Sequence, residues 1–527
     1  MSSDPQRKTC PPLWPCLLVC AAAALWIDFG SLHRRHHADS LLPAMISLYR
    51  WTPFYWDLDR IGMLVPLIAR PVRHPLFNLL MQDALYVFSA LAALVLLPRY
   101  LLRNAVYPLA GLLSVAAFLA LAPEYYRFEY LVDTQYGVWL FLGLSSLILL
   151  EPSANGPPSW PRQTAAAALM VLAHWVYCTA TMFLGSLIVF RAIFFWQRTA
   201  ATDPRDDGRR PPYMSLARSE LVRSLVVLAI GFFAGLALMR LAPIHDTDFA
   251  SLPPSDWPRT WQNLATSAWT ALAPQWWPWF LLLAAAIGMI AQLLPAVRER
   301  TKTSWRAAAA ATAAAILIGL FIGTRHWVAA NGHAFRFLLP STLMLQAALL
   351  GIAVAPLGAI ASAARRNRVS LAMAPLVIVA AALSYGRPSL GGVYRDLDPY
   401  YDAVAATVPP PLATRELLDS GCTHVAGDYW KVWPAVFRAN LALYEQGERR
   451  VVWGVSERSG PTHRYWSAVP RDRMRVAVAA GGDPQAEIFL DHYRLAPLSL
   501  AEKRDSLWLL RPAELARPAA VSTTRHR

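Results

Sequence analysis

The chain has 527 residues, of which 56% are hydrophobic and only 16% charged, with a mean hydropathy of +0.32. That balance excludes an ordinary soluble protein of this length and gives no ground for a nucleic-acid partner. The chain reads instead as a polytopic membrane protein, with much of its net charge of +15 gathered in loops.

A hydrocarbon core of about 30 Å takes about 20 helical residues. Eleven apolar runs bounded by charge or proline are read as spans, at 13–31, 84–101, 105–122, 137–150, 164–179, 181–197, 224–242, 278–296, 307–323, 337–357 and 369–386. The block 164–197 is either one long helix or two short ones meeting near Thr179 to Thr181. Lys and Arg concentrate in cytoplasmic loops. Arg99 and Arg103, then the arginines from Arg198 to Arg218, then Arg298 to Arg306, then Arg365 to Arg368, follow the second, sixth, eighth and tenth runs. They share one side only if 164–197 is a hairpin, which puts the N-terminus in the cytoplasm and residues 387–527 outside. The first run is read as an uncleaved helix, although Arg7 and Lys8 ahead of it also suit a signal peptide.

Residues 31–83 form a first outer loop, too long for a simple connection and cut by prolines, which suits interfacial helices. In HHADSLLP, Asp39 opens a helical stretch, so its carboxylate either caps a helix or does chemistry. WDLDRIG holds Asp57, Asp59 and Arg60, a short DxD-like run that is either a solvated turn or a point of convergence on a sugar or metal. The arginines of this loop meet lipid headgroups or an anionic ligand. The second outer loop, PEYYRFEYLVDTQYG, brings Glu124, Arg127, Glu129 and Asp133 among interfacial tyrosines. His245, Asp246 and Asp248 form a metal-capable but undiagnostic HDTD, and the tryptophans between 257 and 279 suit interfacial anchors. Arg325, His326 and Arg336 fall near the outer end of the tenth run, at headgroup level, where a guanidinium either snorkels or meets a phosphate.

Eight of the runs have apolar stretches without Asp, Glu, Lys or Arg, whereas ion-coupled transporters bury such groups. Chemistry at the outer face is the better fit. Residues 387–512 read as a small α/β domain, with strands at THVAGDY, RRVVWGV, RMRVAVAA and SLWLLRP and helices at WPAVFRANLALYEQG and PQAEIFLDHYRL. Tyr429 and Trp430, in GDYWKVWP at a strand end, suit either carbohydrate stacking or a core. Cys422 is a lone thiol in this domain, and residues 513–527 read as a disordered tail.

This arrangement resembles the GT-C superfamily of integral-membrane glycosyltransferases, which includes protein O-mannosyltransferases and the bacterial transferases that modify lipid A with aminoarabinose. The resemblance rests on a first span, a long outer loop with an acidic residue soon after it, many further spans and a C-terminal outer domain. It implies a mainly α, GT-C-like module over 1–386 in a bacterial-type inner membrane. It also implies transfer of a sugar from a polyprenyl-phosphate donor to a glycan, lipid or protein acceptor. In that family an aspartate of the first loop is catalytic, which falls on Asp39, with Asp59 as rival. The element FRFLLP would bring Arg336 to the donor phosphate, helped by Arg60, Arg325 and His326, while Asp57, Glu124, Arg127, Tyr429 and Trp430 would meet substrate. Asp39 is followed by serine where many members have a second acid. No cofactor is indicated, and a divalent metal is left open. A flippase or polysaccharide exporter, or a non-enzymatic envelope assembly protein, is the alternative.

Overall fold

The computed structural model describes the chain apart from residues 1–10, 31–35, 37, 56–60, 103–105, 134, 153–155, 201–211, 243–244, 246–249, 361–362, 387–413, 457–468, 471–472, 480–497, 505–506 and 513–527. It is mainly helical, with one small sheet near the C-terminus. Every apolar run lies in a helix: α1 (Trp14–Asp28), α4 (Pro75–Leu102), α5 (Tyr107–Leu121), α7 (Tyr136–Leu149), α8 (Trp160–Val176), α9 (Ala180–Ala200), α10 (Pro212–Arg240), α12 (Trp276–Ala291), α13 (Pro295–Ile322), α15 (Leu339–Ile360) and α16 (Ala363–Tyr385). Shorter or amphipathic helices lie between them: α2 (Ala38–Leu48), α3 (Leu64–Ala69), α6 (Glu124–Phe128), α11 (Trp257–Leu272) and α14 (His326–Ala330).

Among the described residues four helical segments, Pro75–Leu102, Ser219–Arg240, Ser304–Ile322 and Phe335–Leu357, are long and apolar enough to cross a membrane singly. Two bent pairs, Glu124–Val132 with Tyr136–Leu149 and Pro254–Leu272 with Trp276–Ala291, raise that to six. Part of the difference from eleven is one of length: the 15 residues of α5 rise only about 22 Å, short of the hydrocarbon core. Large apolar side chains face outward on α10 and α12, including Phe233, Leu283 and Ile290. A polar solvent makes such surfaces costly and lipid does not, and the chain is a helical membrane protein.

The 164–197 block is two helices. Tyr177 takes an extended backbone and ends α8, and α9 starts at Ala180. His174 braces the break: its Nδ1 lies 2.8 Å from the Met170 carbonyl and its Nε2 2.6 Å from Thr181 Oγ1. A carbonyl only accepts, so Nδ1 carries the proton and Nε2 accepts from the threonine hydroxyl.

The chain packs as two units, 1–33 with 53–65 and 80–394, and 34–52 with 66–79 and 395–527. In the first unit small residues let helices approach closely. A Cβ on Gly137 of α7 would sit 2.5 Å from the Ala90 Cα of α4. A buried polar chain ties three helices, since Trp277 Nε1 donates to Gln346 Oε1 at 2.9 Å and Gln346 Nε2 donates to the Ser114 carbonyl at 2.9 Å. Trp277 is thus in the core rather than at an interface. Two carboxylates are buried, Asp28 near the end of the first run and Asp83 just ahead of the second, at 2% and 1% exposed.

The second unit holds α2, α17 (Thr414–Asp419), α18 (Tyr429–Glu445) and a five-stranded sheet of order β2-β1-β3-β5-β4. Its strands are β1 (His424–Ala426), β2 (Trp453–Val455), β3 (Val476–Ala479), β4 (Leu498–Lys503) and β5 (Leu507–Pro512). β1 pairs parallel with β2 and β3, and β5 antiparallel with β3 and β4, so α18 is the crossover of a β-α-β unit. Asn440 of α18 fixes the way into β2 by donating to the Val452 carbonyl and accepting from the Val452 N–H. β2 carries glycine at 454 because the Trp433 ring would lie 2.6 Å from a Cβ there. Cys422 is fully buried, and burial pushes its thiol up from the ordinary range. The helix expected over 484–495 and the tail lie outside the described residues.

The close crossing of α7 and α4 gives a stability test. Gly137→Ala is expected to cost about 1–3 kcal/mol through overpacking, seen as a lower midpoint of thermal unfolding in detergent.

Candidate functional site

The first candidate is built within the second unit. β1 ends at Ala426, and Asp428 then caps α18, its Oδ1 accepting from the Trp430 N–H at 3.0 Å. The cap sets Tyr429 at the first position of the helix, 2% exposed, with its hydroxyl donating to Asp39 Oδ1. Asp39 is the second residue of α2, half-buried, where the positive end of the helix dipole favours a carboxylate. Pro43, four residues on, has no N–H to give the Asp39 carbonyl. His36 Nδ1 and Ser40 Oγ, 3.1 Å apart, complete the turn. Trp430, beside Tyr429 with ring centroids 5.2 Å apart, is 40% exposed. Two residues named separately from the sequence, Asp39 and Tyr429, are therefore in direct contact.

The second candidate lies within the first unit. Arg336, in the 3₁₀ turn Phe335–Leu338, reaches Glu129 Oε1 at 3.4 Å. The Glu129 side chain is 3% exposed and that of Arg336 30%, so a part-exposed cation screens a buried anion. Arg325 donates to Ser251 Oγ at 3.2 Å and lies 3.8 Å from the centre of the Phe321 ring. Burial pulls its guanidinium down from its ordinary value. Arg325 also lines a cavity of about 390 Å³ whose other walls include Trp139, Tyr177, Phe183, Phe232 and Phe337. The volume is within the range of about 300–1,000 Å³ typical of small-ligand sites. Among its described lining residues Arg325 carries the charge.

The remaining expectations are placed as follows. Arg127 donates to the Leu119 carbonyl and, at 2.7 Å, to Ser384 Oγ, tying α6 to α5 and α16. Glu124 opens α6 at an exposed position, and His326 opens α14, also exposed. Asp57, Asp59, Arg60, Asp246 and Asp248 lie outside the described residues. Among the described residues no three His, Cys, Asp or Glu side chains gather closely enough to hold a metal ion. The partnership of Glu129 with Arg336 spans 207 residues. Nothing local signals it, although an acid among interfacial tyrosines is itself a cue.

If Arg336 serves to neutralise Glu129, the two substitutions are coupled. Arg336→Gln is expected to lower thermal stability, and Glu129→Gln in addition to restore part of the loss, with a coupling of about 1–3 kcal/mol in a double-mutant cycle.

No family model matches the chain, and no curated protein matches it. Among solved structures it is similar to the crystal structure of ArnT from Cupriavidus metallidurans in the apo state, with 13% identity and a TM-score of 0.44 over 94% of this chain and 97% of that one.

Proposed function

We propose that the protein is a membrane glycosyltransferase that moves a sugar from a polyprenyl-phosphate donor to an acceptor at the outer face of a bacterial-type inner membrane. The observation that carries the reading is the apolar cavity with Arg325 in its wall, since an isoprenoid chain ending in a phosphate needs an apolar channel that ends at a cation. Arg336 is a candidate for the same donor-binding role, its part-exposed guanidinium held beside Glu129. The same residues are those that the resemblance to GT-C glycosyltransferases implies.

In the proposed step an acceptor hydroxyl or amine attacks the anomeric carbon, and the bond from that carbon to the phosphate oxygen breaks. The proton passes to the Asp39 carboxylate, and the electron pair leaves with the polyprenyl phosphate. That leaving group is already an anion, so it needs charge stabilisation more than a proton, and within the first unit Arg325 and Arg336 are the cations whose chemistry suits that role. Tyr429 is a positioning residue: its hydroxyl holds Asp39 in one rotamer. Trp430 offers an exposed ring face to a sugar. The orientation goes with this reading, with the N-terminus in the cytoplasm and the C-terminal segment outside.

A second reading, an exporter, is favoured by one observation, the burial of Asp28 and Asp83, because carboxylates inside a bundle mark transport routes in other membrane proteins. Reconstituted vesicles separate the two. With a panel of radiolabelled polyprenyl-phosphate sugars, Asp39→Asn is expected to lower kcat by about 10²–10⁴-fold. Tyr429→Phe is expected to lower kcat with donor KM unchanged, and Arg325→Gln to raise donor KM. Full transfer by Asp39→Asn would sink the assignment, and labelled lipid crossing the bilayer without sugar transfer would establish the exporter.

A further inference from the structure

The second unit contains another cleft, at the far ends of α2 and α18 from the Asp39–Tyr429 contact. Tyr49, just past the end of α2, is ten positions on from Asp39, about 15 Å at 1.5 Å per residue, so the cleft is distinct from that contact. Its volume is about 580 Å³, and its lining includes Tyr49, Arg73, Tyr444, Glu448, Arg449 and Arg450. The three arginines face one acid. Glu448 is engaged with Arg450 at 3.4 Å, and Arg450 also donates to the Leu418 carbonyl. Two guanidinium charges, Arg73 and Arg449, are left over; among the described residues neither has an acidic partner.

Both are held out by rigid backbone. The segment carrying Arg73 is pinned by Asn78, fully buried, whose Nδ2 donates at 2.9 Å to the carbonyls of Ala69 and Val72 and to Ser47 Oγ. Ser47 in turn donates to the Pro66 carbonyl at 2.8 Å. Arg449 leaves the turn after α18 that begins at Gly447, with φ +73, and that Asn440 closes onto Val452. The aromatic walls are set as well, Tyr49 edge-on to Trp453 and Tyr444 edge-on to His74. The buried hydrogen bonds thus fix the backbone from which two like charges are presented to one opening, where an anion is favoured.

We propose that this cleft binds a phosphomonoester, carried by a sugar or by a lipid headgroup. Two guanidinium forks match the planar, multidentate acceptor geometry of phosphate, and the tyrosine walls suit the ring or glycerol that bears it. The site stands apart from the transferase reading and does not need it.

The test uses the full chain in phosphatidylcholine nanodiscs at low salt. In one arm glucose 6-phosphate is titrated and heat is measured; in the other, phosphatidic acid is mixed into the disc and retained lipid is counted by native mass spectrometry. Arg73→Gln with Arg449→Gln is expected to weaken binding by at least about tenfold, the loss of one charge-assisted hydrogen bond or more. Arg415→Gln, an exposed arginine of the same unit, is expected to leave it unchanged. A loss confined to the sugar arm identifies a soluble phosphate, and one confined to the lipid arm identifies a headgroup. If the wild type binds neither probe, or the double variant binds both as tightly as the wild type, the proposal is overturned. Both substituted side chains are at exposed positions, so unchanged thermal unfolding is the control for folding.

Discussion

The hydrogen bond from the Tyr429 hydroxyl to the Asp39 carboxylate is the constraint on which the rest of the second unit depends. A carboxylate at the start of a short helix has several rotamers and a hydration shell of its own. A buried phenol that donates to one oxygen removes much of that freedom. The phenol is fixed in its turn by the Asp428 cap, by the strand that delivers the chain to Gly427, and by the Asn440 clasp that closes the crossover onto β2. Each of these is an ordinary device for satisfying backbone groups at an element end. Together they convert a sheet and a helix into a holder for one acid.

The first unit solves a different problem. In a bundle of apolar helices packing energy comes from close approach rather than from exclusion of water, so Gly137 meets α4 directly and polar side chains such as Gln346 serve as ties. Cations enter such an interior only with compensation. Arg336 has Glu129, and Arg325 has the Ser251 hydroxyl and a phenyl face. What results is a greasy cavity with a charge in its wall, a combination that neither a lipid tail nor a phosphate alone would call for.

Helix positions were largely legible because hydrophobic runs and proline boundaries act locally, and all eleven runs lie in helices. The break in 164–197 was legible from the basic loops, which share one side only if that block is a hairpin, but the groups that brace it were not, since His174 and Thr181 are seven residues apart and mean little until they touch. Strand β4 is not legible locally because LSLAEK at the sheet edge carries charge where an inner strand would carry valine. Asp39 and Tyr429 were each visible as unusual residues, one an acid after an apolar run and the other an aromatic at a strand end. Their contact was not, because sequence separation carries no distance. The same holds for Glu129 and Arg336. Buried Asp28 and Asp83 sit at the ends of apolar runs, where an exposed boundary charge and a buried one have the same local pattern.

The 390-residue separation between Asp39 and Tyr429 has a consequence in time. A ribosome adding about 5–20 residues per second takes roughly 20–80 s to travel from one to the other. Throughout that interval the apolar helices from α4 to α16 are being made while the Asp39 carboxylate lacks its phenol. The acid gains that phenol only after the helical region has been synthesised, so a nascent or prematurely terminated chain carries Asp39 without the hydrogen bond that positions it.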